Sequence, residues 1–151
     1  MLGGCYRASV QPVIIRAYIP ADGKASTKIL DRAWHSGHPY APRRVDLAAF
    51  IANTRNETIL VAELAGYGVA GFASFYEPEK FVHNLYVDPD LHGRGIGRAL
   101  LARAMALVGG RASLKCQLRN PGALSFYRKL GWITGEEGEA EFGRWVRLHS
   151  P

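Results

Sequence analysis

The chain is poor in the features that mark whole classes of protein. Only two cysteines, Cys5 and Cys116, occur in 151 residues. That excludes the disulfide framework of a small secreted domain, and it makes the cytosol the expected compartment. Cys116 stands in an alternating stretch and is expected to be a small buried hydrophobe. No apolar run approaches the roughly 20 residues that cross a bilayer, so no membrane partner is expected. Residues 1–10 lack a basic segment followed by an apolar one, so they do not read as a secretory leader. Leu2-Gly3-Gly4-Cys5 has the look of a lipoprotein cleavage box without the apolar segment that must precede it, so no lipid is expected there. There is no internal repeat, low-complexity tract or Pro/Gly/Ser-rich linker. A single domain over 1–151, with its core in about 13–149, is therefore expected. The net charge is +6, from 19 Lys and Arg against 13 Asp and Glu, yet no block of five basic residues occurs. A nucleic-acid partner is therefore not indicated, and a small phosphorylated ligand accounts for the charge equally well. His35 and His38 lack a third ligand at metal-site spacing, so no metal is expected.

What is present is globular. Hydrophobic residues make up 48 % and charged residues 21 %, enough for one sizeable core. Val13 to Ala17 reads as a strand. Asp22 can cap a helix carrying Ile29, Leu30, Ala33 and Trp34 at helical spacing. Gly37, Pro39 and Pro42 make the next segment a loop. A second helix carries Leu47, Phe50 and Ile51 on one face. Ile59 to Leu64 and Val69 to Tyr76 form a hairpin around a turn at Ala65 to Gly68, and Phe81 to Val87 follows as a third strand. Gly93 to Gly97 is a glycine-rich loop leading into a helix with Ile96, Leu100, Ala104 and Leu107, which Gly109-Gly110 ends. Ala112 to Leu118 is a strand. Asn120-Pro121 opens a short helix closed by Gly131. Trp132 to Thr134 and Arg144 to His149 close the chain as two strands around an acidic turn. This order describes a mixed α/β layer with helices packed on a central sheet.

The segment Leu85-Tyr86-Val87-Asp88-Pro89-Asp90-Leu91-His92-Gly93-Arg94-Gly95-Ile96-Gly97-Arg98 carries the most chemistry. A strand ends, a glycine-rich turn follows and a helix opens. Free N–H groups at a helix start attract anions, and glycines let a phosphate reach the backbone. Helix starts favour acidic residues, yet Arg94 and Arg98 stand here with His92 just before, opposing the helix dipole by a few tenths of a kcal/mol each unless an anion binds. A turn with solvated arginines is the plain alternative. The nucleoside-triphosphate pattern Gly-x-x-x-x-Gly-Lys-Ser/Thr is absent. The dinucleotide pattern fails as well, because Arg98 or Leu100 stands where its third glycine belongs.

His92-Gly93-Arg94-Gly95-Ile96-Gly97 resembles the pyrophosphate motif Arg/Gln-x-x-Gly-x-Gly/Ala of the GNAT superfamily of acyl-CoA-dependent N-acetyltransferases, with His92 in place of the usual Arg or Gln. Downstream, Asn120, Ala123, Phe126, Tyr127, Leu130, Gly131 and Trp132 resemble that family's Asn-x-x-Ala-x-x-Phe-Tyr-x-x-x-Gly-Phe, with Trp for the last Phe. The resemblance implies a mostly antiparallel sheet of six to seven strands, splayed at the coenzyme site and flanked by about four helices. It implies acetyl-CoA as co-substrate, a small-molecule or peptide amine as acceptor, no metal, and a monomer or homodimer.

The resemblance also implies roles for particular residues. The strand from Phe81 opens around a bulge, so that Leu85, Tyr86 and Val87 can pair with the pantetheine arm. The N–H of Val87 would stabilise the oxyanion. Main-chain N–H groups of Gly93, Arg94, Gly95, Ile96, Gly97 and Arg98, with His92 beside them, would hold the pyrophosphate. Tyr127 would return a proton to the departing thiolate, its phenol having an ordinary pKa of about 10; aromatic packing is the alternative. Asn120 would touch the coenzyme arm or simply cap its helix. An ammonium acceptor must lose a proton, and His83 is the candidate base, directly or through a water; a partly buried structural histidine is the alternative. Strand alternation puts His83 on the side of Leu85 and Val87 unless the bulge intervenes. Asn84 and Glu63 could instead hold a proton-carrying water. The loops 35–40 and 135–141 would border the acceptor, and the four glutamates of the second either attract a cationic amine or are a solvated tip. Two other functions stay open: a non-catalytic acyl-CoA-binding module, and acetylation of an amine carried on a nucleic acid.

Overall fold

The computed structural model describes residues 12–40, 43 and 45–151. Cys5 and the expectations for residues 1–10 lie outside this range, as do Ala41, Pro42 and Arg44. Seven strands form one sheet in the order β1-β2-β3-β4-β5-β7-β6. They are β1 (Val13–Ala17), β2 (Thr58–Leu64), β3 (Gly68–Tyr76), β4 (Phe81–Val87), β5 (Ser113–Gln117), β6 (Ile133–Ala140) and β7 (Gly143–His149). Every neighbouring pair is antiparallel except β4 and β5. Four helices flank the sheet: α1 (Gly23–Gly37), α2 (Leu47–Asn53), α3 (Ile96–Leu107) and α4 (Pro121–Lys129).

Alternation along the strands divides the core into two layers. Leu60, Ala62 and Leu64 of β2 join Ile96, Leu100 and Ala104 of α3 and Leu124 of α4 in one cluster. Val61 and Phe72 point the other way, toward Ile29 and Leu30 of α1 and Phe50 of α2. Each fully buried side chain such as Phe72 or Leu100 contributes about 1.5–3 kcal/mol.

Three local expectations change. Ile51 is 52 % exposed, because α2 has fewer than two full turns and its buried face closes on Phe50 alone. Asp22 precedes α1, yet its carboxylate makes no cap bond to that helix. It accepts instead from Arg16 at 2.8 and 2.9 Å and from the Ile19 N–H at 2.9 Å. These bonds, the one from Arg16 foremost, hold the carboxyl below its ordinary value against the opposing effect of burial. The acidic run is strand rather than turn: Glu136 to Glu139 belong to β6, which pairs with β7.

One gap organises the fold. β4 and β5 are parallel and pair only at Phe81 with Ser113, whose N–H donates to the Lys80 carbonyl at 3.0 Å. Beyond that point the two strands part. On its other edge β4 stays paired with β3, but the register slips: Asn84 faces Ser74 while Val82 faces Phe75, leaving His83 as the extra residue of a β-bulge. The bulge turns Val82 and Leu85 toward the same core.

Candidate active site

Pairing with β3 determines which way the β4 backbone faces. The Asp88 N–H donates to the Ala70 carbonyl at 2.8 Å, and Val87 stands opposite Gly71. In an antiparallel ladder this makes Val87 and Gly71 a pair without mutual bonds, so the N–H and C=O of Val87 point away from β3. Leu85, opposite Ala73, shares that phase. Both residues therefore turn main-chain groups into the gap left by β5. His92 Nε2 lies 3.3 Å from the Val87 carbonyl, which fills the acceptor and leaves the N–H of the same residue facing the gap.

The loop after β4 presents more donors. Gly93 and Gly95 both have φ of +79°, the left-handed region that only glycine enters freely, and a Cβ on either would meet no atom within 4 Å. The backbone there faces open space. Gly95 caps α3, whose first intrahelical bond runs from the Ala99 N–H to the Gly95 carbonyl at 3.0 Å. The N–H groups of Ile96, Gly97 and Arg98 thus have no acceptor within the helix. A Cβ on Gly97 would stand 3.5 Å from Val87 and 3.6 Å from Phe126, so the helix start packs directly between β4 and α4.

Asp88 anchors this corner, and sequence reasoning did not single it out. Its carboxylate is buried and accepts from Arg32 of α1 at 3.0 Å, from the Tyr67 hydroxyl in the β2–β3 turn, and from the Asp90 N–H at 3.0 Å. Arg32 also reaches Asp90 at 2.9 Å. Burial would raise the Asp88 carboxyl, but the combined bonds from Tyr67, Asp90 and Arg32 outweigh it and hold the group below its ordinary value.

Two clefts meet in the gap. The larger, about 740 Å³, is lined by Leu85, Tyr86, Val87 and by His92, Gly93, Gly95, Ile96, Gly97 and Arg98 from the loop and α3. Its far wall is the start of α4 and the end of α1. Arg94 is exposed and does not line it. The end of α1 falls in the segment 35–40 expected to border the acceptor; Gly37, read from the sequence as loop, is its last residue and lies so near Asn120 that a Cβ would stand 3.0 Å from its Nδ2. Asn120 caps α4, accepting from the Ala123 N–H at 3.2 Å, and also lines the cleft. The smaller cleft, about 410 Å³, lies beside β4 and is lined by Trp34, His38, Phe81, His83, Asn84, Lys115, Gln117, Phe142 and Trp145 among others.

Tyr127 lines both clefts, as do His38, Leu85, Tyr86, Asn120 and Ala123. It is buried, edge-on to Phe126 at 5.1 Å and to Trp132 at 5.6 Å. Burial pushes its phenol far above the ordinary value, with Cys116 and Tyr86 adding to the effect, so it keeps its proton. Cys116 is a free thiol that burial raises to about 11.

His83 does not follow simple alternation, because it is itself the bulge residue. Its Nδ1 lies 2.6 Å from Glu57 Oε1. A carboxylate only accepts, so Nδ1 carries a proton, and in the neutral ring the lone pair is on Nε2. Asn84 donates to the buried Ser74 hydroxyl at 2.7 Å. Glu63 pairs with Arg16 at 2.8 Å and lines neither cleft. His35 bonds the Asp31 carbonyl at 2.6 Å, while His38 stacks on Trp34 at 3.9 Å, and burial lowers its pKa. Among the described residues no three of His, Cys, Asp and Glu converge as metal ligands, and no helix is long and apolar enough to cross a membrane.

Comparison with known proteins matches residues 25–132 to the model of the Acetyltransferase (GNAT) family. N-alpha-acetyltransferase RimI of Mycobacterium tuberculosis is 31 % identical over 133 residues, covering 83 % of this chain and 81 % of the relative. L-amino acid N-acyltransferase MnaT of Escherichia coli is 31 % identical over 109 residues, 60 % of each chain. An uncharacterized N-acetyltransferase of Methanocaldococcus jannaschii is 39 % identical over 71 residues, and the match spans only 30 % of its length. A GCN5-related N-acetyltransferase from Rhodopseudomonas palustris superposes with a TM-score of 0.77 at 22 % identity, covering 91 % of this chain and 94 % of that one. The acetyltransferase yncA of Salmonella typhimurium, solved with acetyl-CoA, superposes with a TM-score of 0.65 at 27 % identity, covering 91 % and 90 %.

Proposed function

Because the chain belongs to the GNAT family of acetyltransferases, we propose that it moves an acetyl group from acetyl-CoA to a primary amine by direct attack. The observation that carries this reading is the opening between β4 and β5, with the Val87 N–H turned into it, helix-start donors at one end and Tyr127 on its wall. The residues fit the coenzyme. The N–H groups of Ile96, Gly97 and Arg98 suit a pyrophosphate, and the free edge of Leu85 and Val87 suits the amides of a pantetheine arm.

The acceptor amine is protonated in water at neutral pH, its ordinary pKa being near 10.4. His83 Nε2 takes that proton, directly or through a water, while Glu57 holds the ring in one tautomer. The freed amine forms a bond to the thioester carbon. The Val87 N–H donates to the carbonyl oxygen as it gains charge. The carbon–sulfur bond breaks, Tyr127 gives its proton to the departing thiolate, and the second proton shed by the nitrogen as it becomes an amide restores the Tyr127 phenol. The products are an amide and coenzyme A.

The names of two relatives specify N-alpha acetylation and L-amino acid N-acylation, which favours an acceptor α-amine beside a carbonyl or carboxyl group. A cytoplasmic setting accords with the unpaired Cys116 thiol. The test is release of coenzyme A thiol from acetyl-CoA in the presence of amino acids, peptide termini, polyamines and aminoglycosides. At least one amine should support turnover well above the rate with none. Tight coenzyme binding with no transfer to any amine would leave a binding module and remove the enzyme.

A further inference from the structure

The smaller cleft is unusual in charge. Its walls are aromatic, from Trp34, Phe81, Tyr86, Phe142 and Trp145, and its charged side chains are Arg43 and Lys115. Among the described residues no Asp or Glu lines it. The Arg43 guanidinium lies over the rings of Trp34 at 5.3 Å and Phe142 at 5.8 Å, and Lys115 Nζ lies 4.1 Å from the Trp145 ring centre. Neither cation pairs with a carboxylate among the described residues.

The carboxylates that might have balanced them are committed elsewhere. Glu136 pairs with Arg147, and Glu137 pairs with Arg144 at 2.6 Å, all on β6 and β7 outside the cleft. Glu57 is bonded behind His83 and does not line the cleft either. Glu136 and Glu137 are thus engaged by arginines, and no residue of the glutamate run lines the cleft. A polycation entering this cleft meets two like charges and no counter-charge. An anionic group meets two cations held in place by aromatic faces, and an apolar body finds matching walls. The volume of about 410 Å³ is that of a small-molecule site.

Resting on the acetyl-transfer reading, we infer that the acceptor is a small amine bearing a carboxylate and an apolar or aromatic body, an amino acid rather than a polyamine, with Arg43 and Lys115 as the carboxylate-binding residues.

The test compares kcat/KM for L-phenylalanine, for 2-phenylethylamine, which lacks only the carboxylate, for a short peptide with N-terminal phenylalanine, and for spermidine. Coenzyme A affinity is measured in parallel by calorimetry. Phenylalanine should exceed 2-phenylethylamine by about tenfold or more, the worth of one charge-assisted bond, and spermidine should be the poorest. Lys115→Glu and Arg43→Met should each narrow the ratio between the first two. Turnover of 2-phenylethylamine, the peptide or spermidine that matches or beats phenylalanine overturns this inference and leaves the acetyl-transfer reading standing. Coenzyme binding with no turnover of any amine defeats that reading, and the inference with it.

Discussion

Replacing Asp88 with alanine removes the acceptor at which α1, the β2–β3 turn and the end of β4 are joined. Three bonds go at once: from the Asp90 N–H, from the Tyr67 hydroxyl and from Arg32. The first is a cap, worth about 1 kcal/mol. The hydroxyl bond is worth about as much. The Arg32 pair adds less than either, because that side chain is 38 % exposed and screened by solvent. Tyr67 and Arg32 can both turn to water, so neither is orphaned, and the alanine no longer buries a charge. The expected cost is about 2–3 kcal/mol, which at about 2–4 °C per kcal/mol for a chain of this size lowers the melting temperature by roughly 4–12 °C. Because Val87 and the glycine loop flank this anchor, coenzyme A affinity should fall as well. Calorimetric melting with and without coenzyme reads both effects. Arg32→Ala should cost less, since Tyr67 and Asp90 still satisfy the carboxylate. A shift below about 1 °C for Asp88→Ala would refute the idea that this junction holds the strand end in place.

Other outcomes follow from the same geometry. Tyr127→Phe should lower kcat by about 10²–10⁴-fold with coenzyme affinity nearly unchanged; equal losses in both would remove Tyr127 as the acid. Gly95→Val forces a β-branched residue to φ of +79° and should destabilise by about 1–2 kcal/mol while weakening coenzyme binding; unchanged binding in calorimetry would count against the loop as the pyrophosphate site. Asp22 and Asp88 both have carboxyls held below their ordinary values. A group depressed in the folded state contributes stability that is fully present above its unfolded pKa, about 3.9, and lost as pH falls through the lower folded value. Wild-type melting temperatures should therefore fall as pH drops below about 4, and Asp88→Ala should fall less steeply; parallel curves would show that Asp88 carries no such linkage.

Much of the architecture was legible because it rests on local chemistry. Asn120-Pro121 marks the start of α4 by cap and fixed φ, and Gly131, at φ of +85°, ends it. The glycine loop declared itself through residues whose conformations other side chains avoid. Long-range pairing was not legible. The bulge at His83 exists only against the register of β3, so alternation within β4 could not place that ring or reveal Glu57 behind it. Ile51 follows the helical pattern, but whether a second turn finds a neighbour depends on tertiary packing. The acidic run becomes strand because Glu137 to Ala140 pair with β7 residues ending at Val146, which overrides a sequence rich in turn formers. Trp34 of α1, Lys115 of β5, Trp145 of β7 and Phe142 of the β6–β7 turn are far apart in the chain or on different elements, and no spacing foretold their meeting around one cleft. Asp88 was read only as part of the loop motif, because its partners lie 21 and 56 positions away.

The central claim is that coenzyme A lies along the free edge of β4 with its diphosphate on the start of α3. Titrating isotopically labelled protein with coenzyme A and following backbone amide resonances addresses it directly. The account predicts saturable binding, with a dissociation constant within about 1 μM–1 mM, and the largest shifts at the N–H groups of Val87, Ile96, Gly97 and Arg98. No binding, or shifts confined to residues outside the opening between β4 and β5, would contradict it.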